Sequence, residues 1–291
     1  MPSLAIAGDS PASKRSSHAA KPGKTVVARN EMSDYVGDML QLRSSKALII
    51  NQETGETLYA KNTDTPTPIA SVTKLMTAMV VLDAGLPMDE VISIDKEDID
   101  TLKGTTSRLR VGTRLPRGEM LRLALMASEN RAASALARHY PGGLKTFVQR
   151  MNQKAYELGM TKTRFVDPTG LNSGNVSTAE DLVKMVRAAY EYEQIRQEST
   201  AVSQEISLDG GRNRMQFINT NSLVRKGDWV IGLSKTGYIS ESGRCLVMQA
   251  EIGGQPLIIV LLDSVGKMTR IGDANRIRKW IEQGYVTARM G

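Results

Sequence analysis

Apolar residues in this 291-residue chain follow two different spacings, and the change between them divides the sequence into regions. Residues 47–51 and 57–60 are short apolar runs on either side of a Glu-Thr-Gly-Glu segment, which predicts two strands joined by a turn. Residues 74–82 are apolar at almost every position after Lys74 and stop before Gly85, which predicts a helix that is buried on most sides.

The middle of the chain has helical spacing, and the last third returns to strands. Further helices are predicted at residues 120–127, 131–139, 144–158 and 178–190. Strands are predicted at 203–208, 215–219, 229–233, 245–252 and 256–262, before a closing helix at 273–283. This order indicates an α+β fold at residues 33–291, with an antiparallel sheet flanked by helices and an all-helical subdomain inserted at roughly residues 98–202.

Residues 1–32 are predicted to form a disordered basic leader. The first 30 residues hold five Lys and Arg residues against one Asp, so four of the seven net positive charges lie there. Ala5-Ile-Ala7 has the small-x-small pattern of an export cleavage site, but no charged start or long apolar stretch precedes it. We therefore expect either the remnant of an export signal or a chance match. The leader could touch an anionic wall or membrane, although a solvated tail is the simpler interpretation.

Composition excludes several classes of protein. Outside the leader the charge is near neutral and aromatic residues are only 4%, so nucleic acid is not expected as a partner. The longest aliphatic run, residues 257–262, is too short to cross a bilayer. Two histidines, His18 and His139, are too few for a zinc peptidase and make a Ser-His-Asp triad difficult to build. The single cysteine, Cys245, is predicted to be a small buried hydrophobic residue.

Ser71-Val-Thr-Lys74 is the strongest candidate for a nucleophile and its base. Ser71 lies where the first helix should begin, and Lys74 follows one turn later on the same face. A lysine acts as a base only if burial or a nearby cation lowers its pKa, and the apolar residues after Lys74 would bury it. The same spacing recurs at Ser93-Ile-Asp-Lys96 and Ser264-Val-Gly-Lys267, but neither precedes a buried helix. The simpler alternative is a capping serine and a surface lysine.

Ser128-Glu-Asn130 falls at the junction of two predicted helices, where side chains can project into a cleft. Ser128 could pass a proton to a leaving amine, and Asn130 could hold a substrate amide. Alternatively, Ser128 only caps the second helix. Ser173-Gly-Asn175 has the same spacing, but it lies in a loop where Ser and Asn are common for turn formation.

Lys235-Thr-Gly237 is predicted to end the strand at residues 228–234. Gly237 would let a ligand backbone approach the strand edge, while Thr236 and Lys235 would bind a carboxylate. We expect the charge of Lys235 to lower the pKa of Lys74 if the two lie close together. The alternative is an ordinary lysine and threonine on a solvated strand.

Ser-x-x-Lys, Ser-x-Asn and Lys-Thr-Gly in this order resemble the signature of penicillin-binding proteins and serine β-lactamases. Residues 69–77 and 163–171 widen the resemblance to the low-molecular-mass D-alanyl-D-alanine peptidases. Residues 127–133, followed by 139–143, are most similar to their D-alanyl-D-alanine endopeptidase branch. The resemblance covers about residues 35–285 and implies the β-lactamase/transpeptidase-like fold.

The resemblance also implies a mechanism of two-step acyl transfer at D-alanyl peptide bonds of peptidoglycan, without a metal or cofactor. Lys74 would take the proton of Ser71, and the N–H groups of Ser71 and Tyr238 would bind the oxyanion. β-Lactam antibiotics would acylate Ser71, and Arg244 would assist. The implied catalytic residues are Ser71, Lys74 and Ser128, and the implied substrate-binding residues are Asn130, Lys235, Thr236, Gly237 and Tyr238. The implied location is the periplasm.

Three alternatives remain open within these residues. A class A β-lactamase should carry Glu-x-x-Leu-Asn after Ser128, whereas the nearest region reads Phe165-Val-Asp-Pro-Thr. A non-catalytic wall-binding module would have lost residues such as Ser71 or Lys235 that are present here. Carboxypeptidases of this kind often add a β-rich domain and an amphipathic anchor, and neither follows the closing helix. An endopeptidase that cleaves D-alanyl-meso-diaminopimelyl cross-links is therefore expected.

Overall fold

The structure, a computed structural model, describes residues 40–208 and 213–288. Its centre is a five-stranded antiparallel sheet of β1 (Lys46–Asn51), β2 (Thr57–Lys61), β9 (Val230–Ile239), β10 (Gly243–Ile252) and β11 (Gln255–Ser264). The strand order is β2-β1-β11-β10-β9. Three two-stranded ribbons accompany it: β3 (Thr67–Pro68) with β6 (Val176–Ser177), β4 (Val91–Ser93) with β5 (Arg114–Pro116), and β7 (Ser203–Leu208) with β8 (Asn213–Ile218).

Both faces of the central sheet are buried, which explains why its strands read as continuous apolar runs rather than alternating ones. On one face, Leu48, Val247 and Val260 belong to a large core shared with the helices of the middle of the chain. On the other face, Ile49 and Met248 pack with the C-terminal helix. The sheet is therefore a rigid middle layer between two groups of helices.

Six of the described helices lie between β2 and β7, and two lie further along the chain. They are α1 (Lys74–Asp83), α2 (Arg117–Met126), α3 (Asn130–Arg138), α4 (Gly143–Glu157), α5 (Ala179–Tyr190), α6 (Glu193–Thr200), α7 (Ser222–Lys226) and α8 (Thr269–Ala288). Short 3₁₀ turns lie at Ala70–Thr73 and Lys96–Asp98. Helix α1 is buried from Lys74 to Val81, as expected for a helix that is apolar on most sides. None of the described helices has the length and apolar character needed to cross a membrane.

The predicted α+β architecture is confirmed, and most predicted elements lie within a few residues of the observed ones. One boundary is wrong: the strand that was expected to end before Lys235 continues to Ile239, because residues 235–239 pair with β10. The predicted leader, residues 1–32, and the expected start of the domain near residue 33 lie outside the described residues. The limits of the helical subdomain, residues 98–202, stay a prediction.

A buried carboxylate connects the last helix to the segment just before the first strand. Asp273, fully buried at the start of α8, accepts hydrogen bonds from the N–H groups of Arg43 (3.1 Å) and Ser44 (2.7 Å). The Ser44 hydroxyl donates to the same carboxylate at 2.5 Å and also contacts the Ser264 hydroxyl at 2.7 Å. Asp273 therefore joins α8 to residues 229 and 230 positions earlier in the chain, and Ser44 extends the contact to Ser264 on β11.

Asp273→Asn should lower the free energy of unfolding by about 2–3 kcal/mol, because the amide NH₂ cannot accept the hydrogen bonds that one carboxylate oxygen accepts. Urea unfolding monitored by circular dichroism measures this change. Asp89→Asn, at an exposed acidic residue, is the control and should change little. Equal stability of the two variants would contradict this role of Asp273.

Candidate active site

The 3₁₀ turn at Ala70–Thr73 carries Ser71, and the residue before it, Ala70, has a strained φ of 48°. Two glycines hold this turn closely. A Cβ at position 170 would lie 1.9 Å from the Ala70 carbonyl oxygen, and one at position 237 would lie 2.9 Å from the Ile69 carbonyl oxygen and 3.1 Å from the Ser71 nitrogen. Only glycine fits at these two positions. Gly170 and Gly237 therefore allow their own segments to pack directly against the backbone that carries Ser71.

Lys74, the first residue of α1, directs its ammonium into a closed set of acceptors. Its Nζ donates to Ser71 Oγ (2.8 Å), to Asn130 Oδ1 (2.7 Å) and to the Thr169 carbonyl oxygen (2.6 Å). These three acceptors match the three N–H donors of an ammonium group. The side chain is only 1% exposed, so no hydrogen-bonding capacity is left for solvent.

Burial lowers the pKa of Lys74 to about 7, against the opposing charges of Asp167 and Glu129, which raise it. Desolvation disfavours the charged form of a lysine, and here it outweighs both carboxylates. The amine is consequently able to lose its proton near neutral pH while it lies within hydrogen-bonding distance of Ser71 Oγ. That combination is the requirement for a general base.

Ser128 and Asn130 form the wall opposite the sheet, where α2 ends and α3 begins. Ser128 has φ 60°, an unusual value for a residue with a side chain, and this turn directs it toward the cleft. Asn130 accepts from Lys74 through Oδ1 and donates from Nδ2 to Thr105 Oγ1 at 3.1 Å. The expected junction between two helices is therefore present, and Asn130 is held at both ends.

Lys235, on β9, closes the other side of the cleft. Its Nζ donates to Ser128 Oγ (2.9 Å) and to the Thr236 carbonyl oxygen (3.0 Å), and its side chain is 1% exposed. The three sequence strings thus meet in one place: one hydrogen-bonded set joins Ser71, Lys74 and Asn130, and a second joins Ser128 and Lys235.

The two buried lysines lie close enough for their charges to interact. Lys74 owes its low pKa mainly to burial. Burial also lowers the pKa of Lys235 well below its usual range, and the charges of Lys74 and Arg270 lower it further. Desolvation is therefore the main cause of the low pKa of both lysines, and the mutual repulsion of their charges disfavours the state in which both are protonated.

Thr236 and Tyr238 lie on either side of Gly237 along β9. Thr236 is 5% exposed, and its hydroxyl donates to Thr220 Oγ1 at 2.7 Å. Tyr238 is 56% exposed, and the guanidinium of Arg244, its neighbour on β10, lies 4.3 Å from the ring centroid. Arg244 therefore contacts the rim of the cleft through Tyr238.

A loop that the sequence marked only through its resemblance supplies the third acceptor for Lys74. Asp167 Oδ1 accepts from the N–H groups of Thr169 (2.6 Å) and Gly170 (2.8 Å), and its Oδ2 accepts from Asn172 N–H (2.9 Å). Asn175, fully buried, joins this loop to Thr73 Oγ1 at 3.1 Å. These bonds position the Thr169 carbonyl oxygen to accept the hydrogen bond from Lys74 Nζ. Asp-Pro-Thr-Gly is a turn signal, which could have pointed to this loop.

Arg270 carries no local sequence signal. Its Nε and Nη1 are buried and have no hydrogen-bond partner among the described residues. Its charge acts on Lys235, and burial together with the nearby Arg244 lowers the pKa of Arg270 itself. A buried guanidinium with unused donors beside the Lys-Thr-Gly strand is suited to bind an anion.

The remaining copies of the motifs lie in other surroundings. Ser93 Oγ donates to Asp95 at 3.2 Å, and Ser264 Oγ contacts Ser44. Cys245 is fully buried, and burial raises the pKa of its thiol to about 11, as expected for a packing residue rather than a nucleophile.

Comparison with known proteins agrees with this arrangement. The D-alanyl-D-alanine carboxypeptidase family matches residues 31–266. A D-alanyl-D-alanine endopeptidase of Pseudomonas aeruginosa is 48% identical over 248 residues, 85% of this chain and 80% of its own. A protein of the same name from Escherichia coli K12 is 47% identical over 246 residues, 84% of this chain and 79% of its own.

Among solved structures, the Streptomyces K15 DD-transpeptidase superposes with a TM-score of 0.76 at 30% identity, over 82% of this chain and 97% of that one. The fold is therefore the one expected from the resemblance. Because the family match spans most of the described residues and includes the Ser71, Ser128 and Lys235 motifs, this chain belongs to the D-alanyl-D-alanine carboxypeptidase family of serine peptidases.

Proposed function

We propose that this protein is a DD-endopeptidase that cleaves D-alanyl-meso-diaminopimelyl cross-links of peptidoglycan through an acyl-enzyme on Ser71. The observation that carries the proposal is the 2.8 Å hydrogen bond between Lys74 Nζ and Ser71 Oγ, made by a fully enclosed amine whose pKa is about 7. The endopeptidase preference is supported by the relatives of that name.

Acylation begins with the neutral amine of Lys74. It accepts the proton of Ser71 Oγ as this oxygen forms a bond to the D-alanyl carbonyl carbon. The negative charge that develops on the carbonyl oxygen is bound by the N–H groups of Ser71 and Tyr238, on the turn and the strand that Gly237 brings together. The geometry is preorganised because both backbone segments are already fixed.

Collapse of the tetrahedral intermediate breaks the C–N bond and requires a proton on the leaving nitrogen. Ser128 donates it in the proposal, since its hydroxyl is held at 2.9 Å by Lys235 Nζ. The proton that Lys74 took from Ser71 replaces the one Ser128 gave. Water then attacks the ester on Ser71, with Lys74 again as base, and restores the free enzyme.

The leaving residue carries a carboxylate next to its amine, and the site offers matching groups. Thr236 Oγ1 faces Thr220, Lys235 is adjacent, and Arg270 has buried donors without partners in the described structure. The D-centre of meso-diaminopimelate has the amine and carboxylate on one carbon, as does a C-terminal D-alanine. The same subsite therefore serves an endopeptidase or a carboxypeptidase, and a carboxypeptidase is the second candidate.

Because the proposed substrate is peptidoglycan, we propose that the enzyme acts at the cell wall, in the periplasm. β-Lactam antibiotics are proposed covalent inhibitors, because their acyl bond occupies the position of the D-alanyl bond. Association of the basic leader with an anionic wall or membrane surface remains part of the proposal.

Fluorescent penicillin should label the protein stably, and Ser71→Ala should abolish the label because the acylated oxygen is gone. Ser93→Ala is the matched control, since Ser93 begins the second Ser-x-x-Lys sequence and should label normally. Gel fluorescence after denaturation measures both. Rapid release of hydrolysed drug would instead indicate a β-lactamase, and absence of label in the unaltered protein would indicate a non-catalytic module.

Digestion of purified cross-linked muropeptides should convert dimers into monomers, because cleavage falls on the bond between D-alanine and diaminopimelate. Reversed-phase chromatography with mass spectrometry follows the products. Ser71→Ala serves as the control for contaminating hydrolases. Release of terminal D-alanine alone, with dimers intact, would show that the protein is a carboxypeptidase.

The rate of acylation by penicillin should fall about tenfold per pH unit below the pKa of Lys74, about 7, because protonated Lys74 cannot act as a base. Asp167→Asn should move this limb to lower pH, since the Asp167 charge raises the pKa of Lys74. Stopped-flow fluorescence over a range of pH measures the limb. Asp89→Asn is the exposed control, and an identical limb in both variants would contradict the coupling.

A further inference from the structure

A second connection joins the two walls of the cleft near its opening. Lys103, in the loop before the Ser128 wall, forms an ion pair with Glu241, which follows β9 on the opposite wall. The mechanism described above uses neither residue. Because each is attached to a different wall, the pair lies across the path of any peptide that extends along β9 beyond Tyr238.

The loop that carries Lys103 is rigidly built. Asp100 Oδ1 accepts from the N–H groups of Leu102 (2.8 Å) and Lys103 (2.9 Å), while Oδ2 accepts from Thr105 N–H (2.8 Å). Thr105 is in turn the partner of Asn130 Nδ2. Lys103 is therefore positioned relative to Asn130, and through it relative to Lys74, rather than being a freely moving surface lysine.

Glu241 is an equally well-defined negative charge. The Ser240 hydroxyl donates to its Oε2 at 2.7 Å, and the hydrogen bond from Lys103 lowers the pKa of Glu241 to about 2. The side chains of Lys103 and Glu241 are 26% and 42% exposed. An exposed ion pair contributes little to stability. Lys103 and Glu241 can therefore separate and bind a ligand at a small cost in free energy.

The direction of a bound peptide follows from the proposed function, on which this inference rests. The leaving carboxylate lies at Thr236 and the reacting carbonyl beside Gly237, so the acyl side continues over Tyr238 toward Glu241. β9 is an outer strand of the sheet, which allows an extended peptide to align along it. Glu241 lies four residues beyond Gly237 and two residues past the end of β9, so it is at most about 13 Å from Gly237. The residue that precedes the acyl D-alanine reaches this pair only with a long side chain.

We propose that Lys103 and Glu241 form an acyl-side subsite for a long side chain that ends in both an ammonium and a carboxylate. The ammonium binds Glu241 and the carboxylate binds Lys103, so the ligand replaces one ion pair by two. In the proposed substrate this side chain is the free end of the meso-diaminopimelyl residue that precedes the D-alanine. The pair then favours stem peptides whose side chain carries both a positive and a negative charge.

The test varies only the acyl side. Four N-acetyl-X-D-alanyl thioesters share thiolactate as the leaving group, with X carrying both charges (meso-diaminopimelyl), an ammonium only (lysyl), a carboxylate only (2-aminopimelyl) or neither (norleucyl). Release of the thiol gives kcat/KM for each. Ratios are compared within a variant, so that a general loss of activity cancels. Glu282→Gln, in an exposed ion pair on α8 with a side chain 46% exposed, is the matched control.

The unaltered protein should prefer the diaminopimelyl ester over each of the other three by about threefold, because only this side chain forms one more ion pair than it replaces. Glu241→Gln should bring the ratio of diaminopimelyl to 2-aminopimelyl close to one. Lys103→Gln should do the same for the ratio of diaminopimelyl to lysyl. Glu282→Gln should keep the ratios of the unaltered protein.

Two results overturn the inference, and they differ in meaning. Hydrolysis of all four esters at similar kcat/KM, or ratios in Glu241→Gln equal to those in Glu282→Gln, rejects the subsite while the DD-peptidase activity stands. No hydrolysis of any ester, together with no penicillin label on Ser71, rejects the proposed function and this inference with it.

Discussion

The enclosure of the Lys74 ammonium is the constraint on which the rest of the structure depends. Three acceptors from three separate parts of the chain surround it: the Ser71 hydroxyl, the Asn130 amide and the Thr169 carbonyl. A charged amine at this depth is costly without all of them. The helix that carries it, the junction at residue 130 and the loop at residue 169 must therefore be placed together, and the reactive serine is one of the acceptors.

Local sequence patterns were sufficient to predict the helices, the strands and the motif residues. The apolar run after Lys74 predicted a buried helix, and burial is the main cause of its lowered pKa. The junction at Ser128 was visible as the gap between two helical spacings. These features are encoded within about ten residues of sequence, which is the range over which periodicity and turn residues carry information.

Contacts between distant segments were not predictable in this way. Arg270 and the Lys103–Glu241 pair show no spacing that marks them, because each acts on a partner that is far away in sequence. The end of β9 was misplaced for a similar reason. Lys235-Thr-Gly237 looks like a strand end by composition, yet pairing with β10 continues the strand through it. The lowered pKa values of Lys74 and Lys235 could not be predicted fully either, because they depend on how deeply the folded protein buries each amine.

The two glycines beside Ser71 also bear on the reactivity of this serine before the chain has folded. Gly170 and Gly237 are about 100 and 165 residues further along the sequence, yet they define the strained turn at Ala70. In an unfolded chain that turn relaxes, and Lys74 regains the pKa of a solvated amine, near 10.4. A newly made chain thus carries an ordinary, unreactive serine. The serine becomes reactive only when the segments around residues 70, 170 and 237 have folded together.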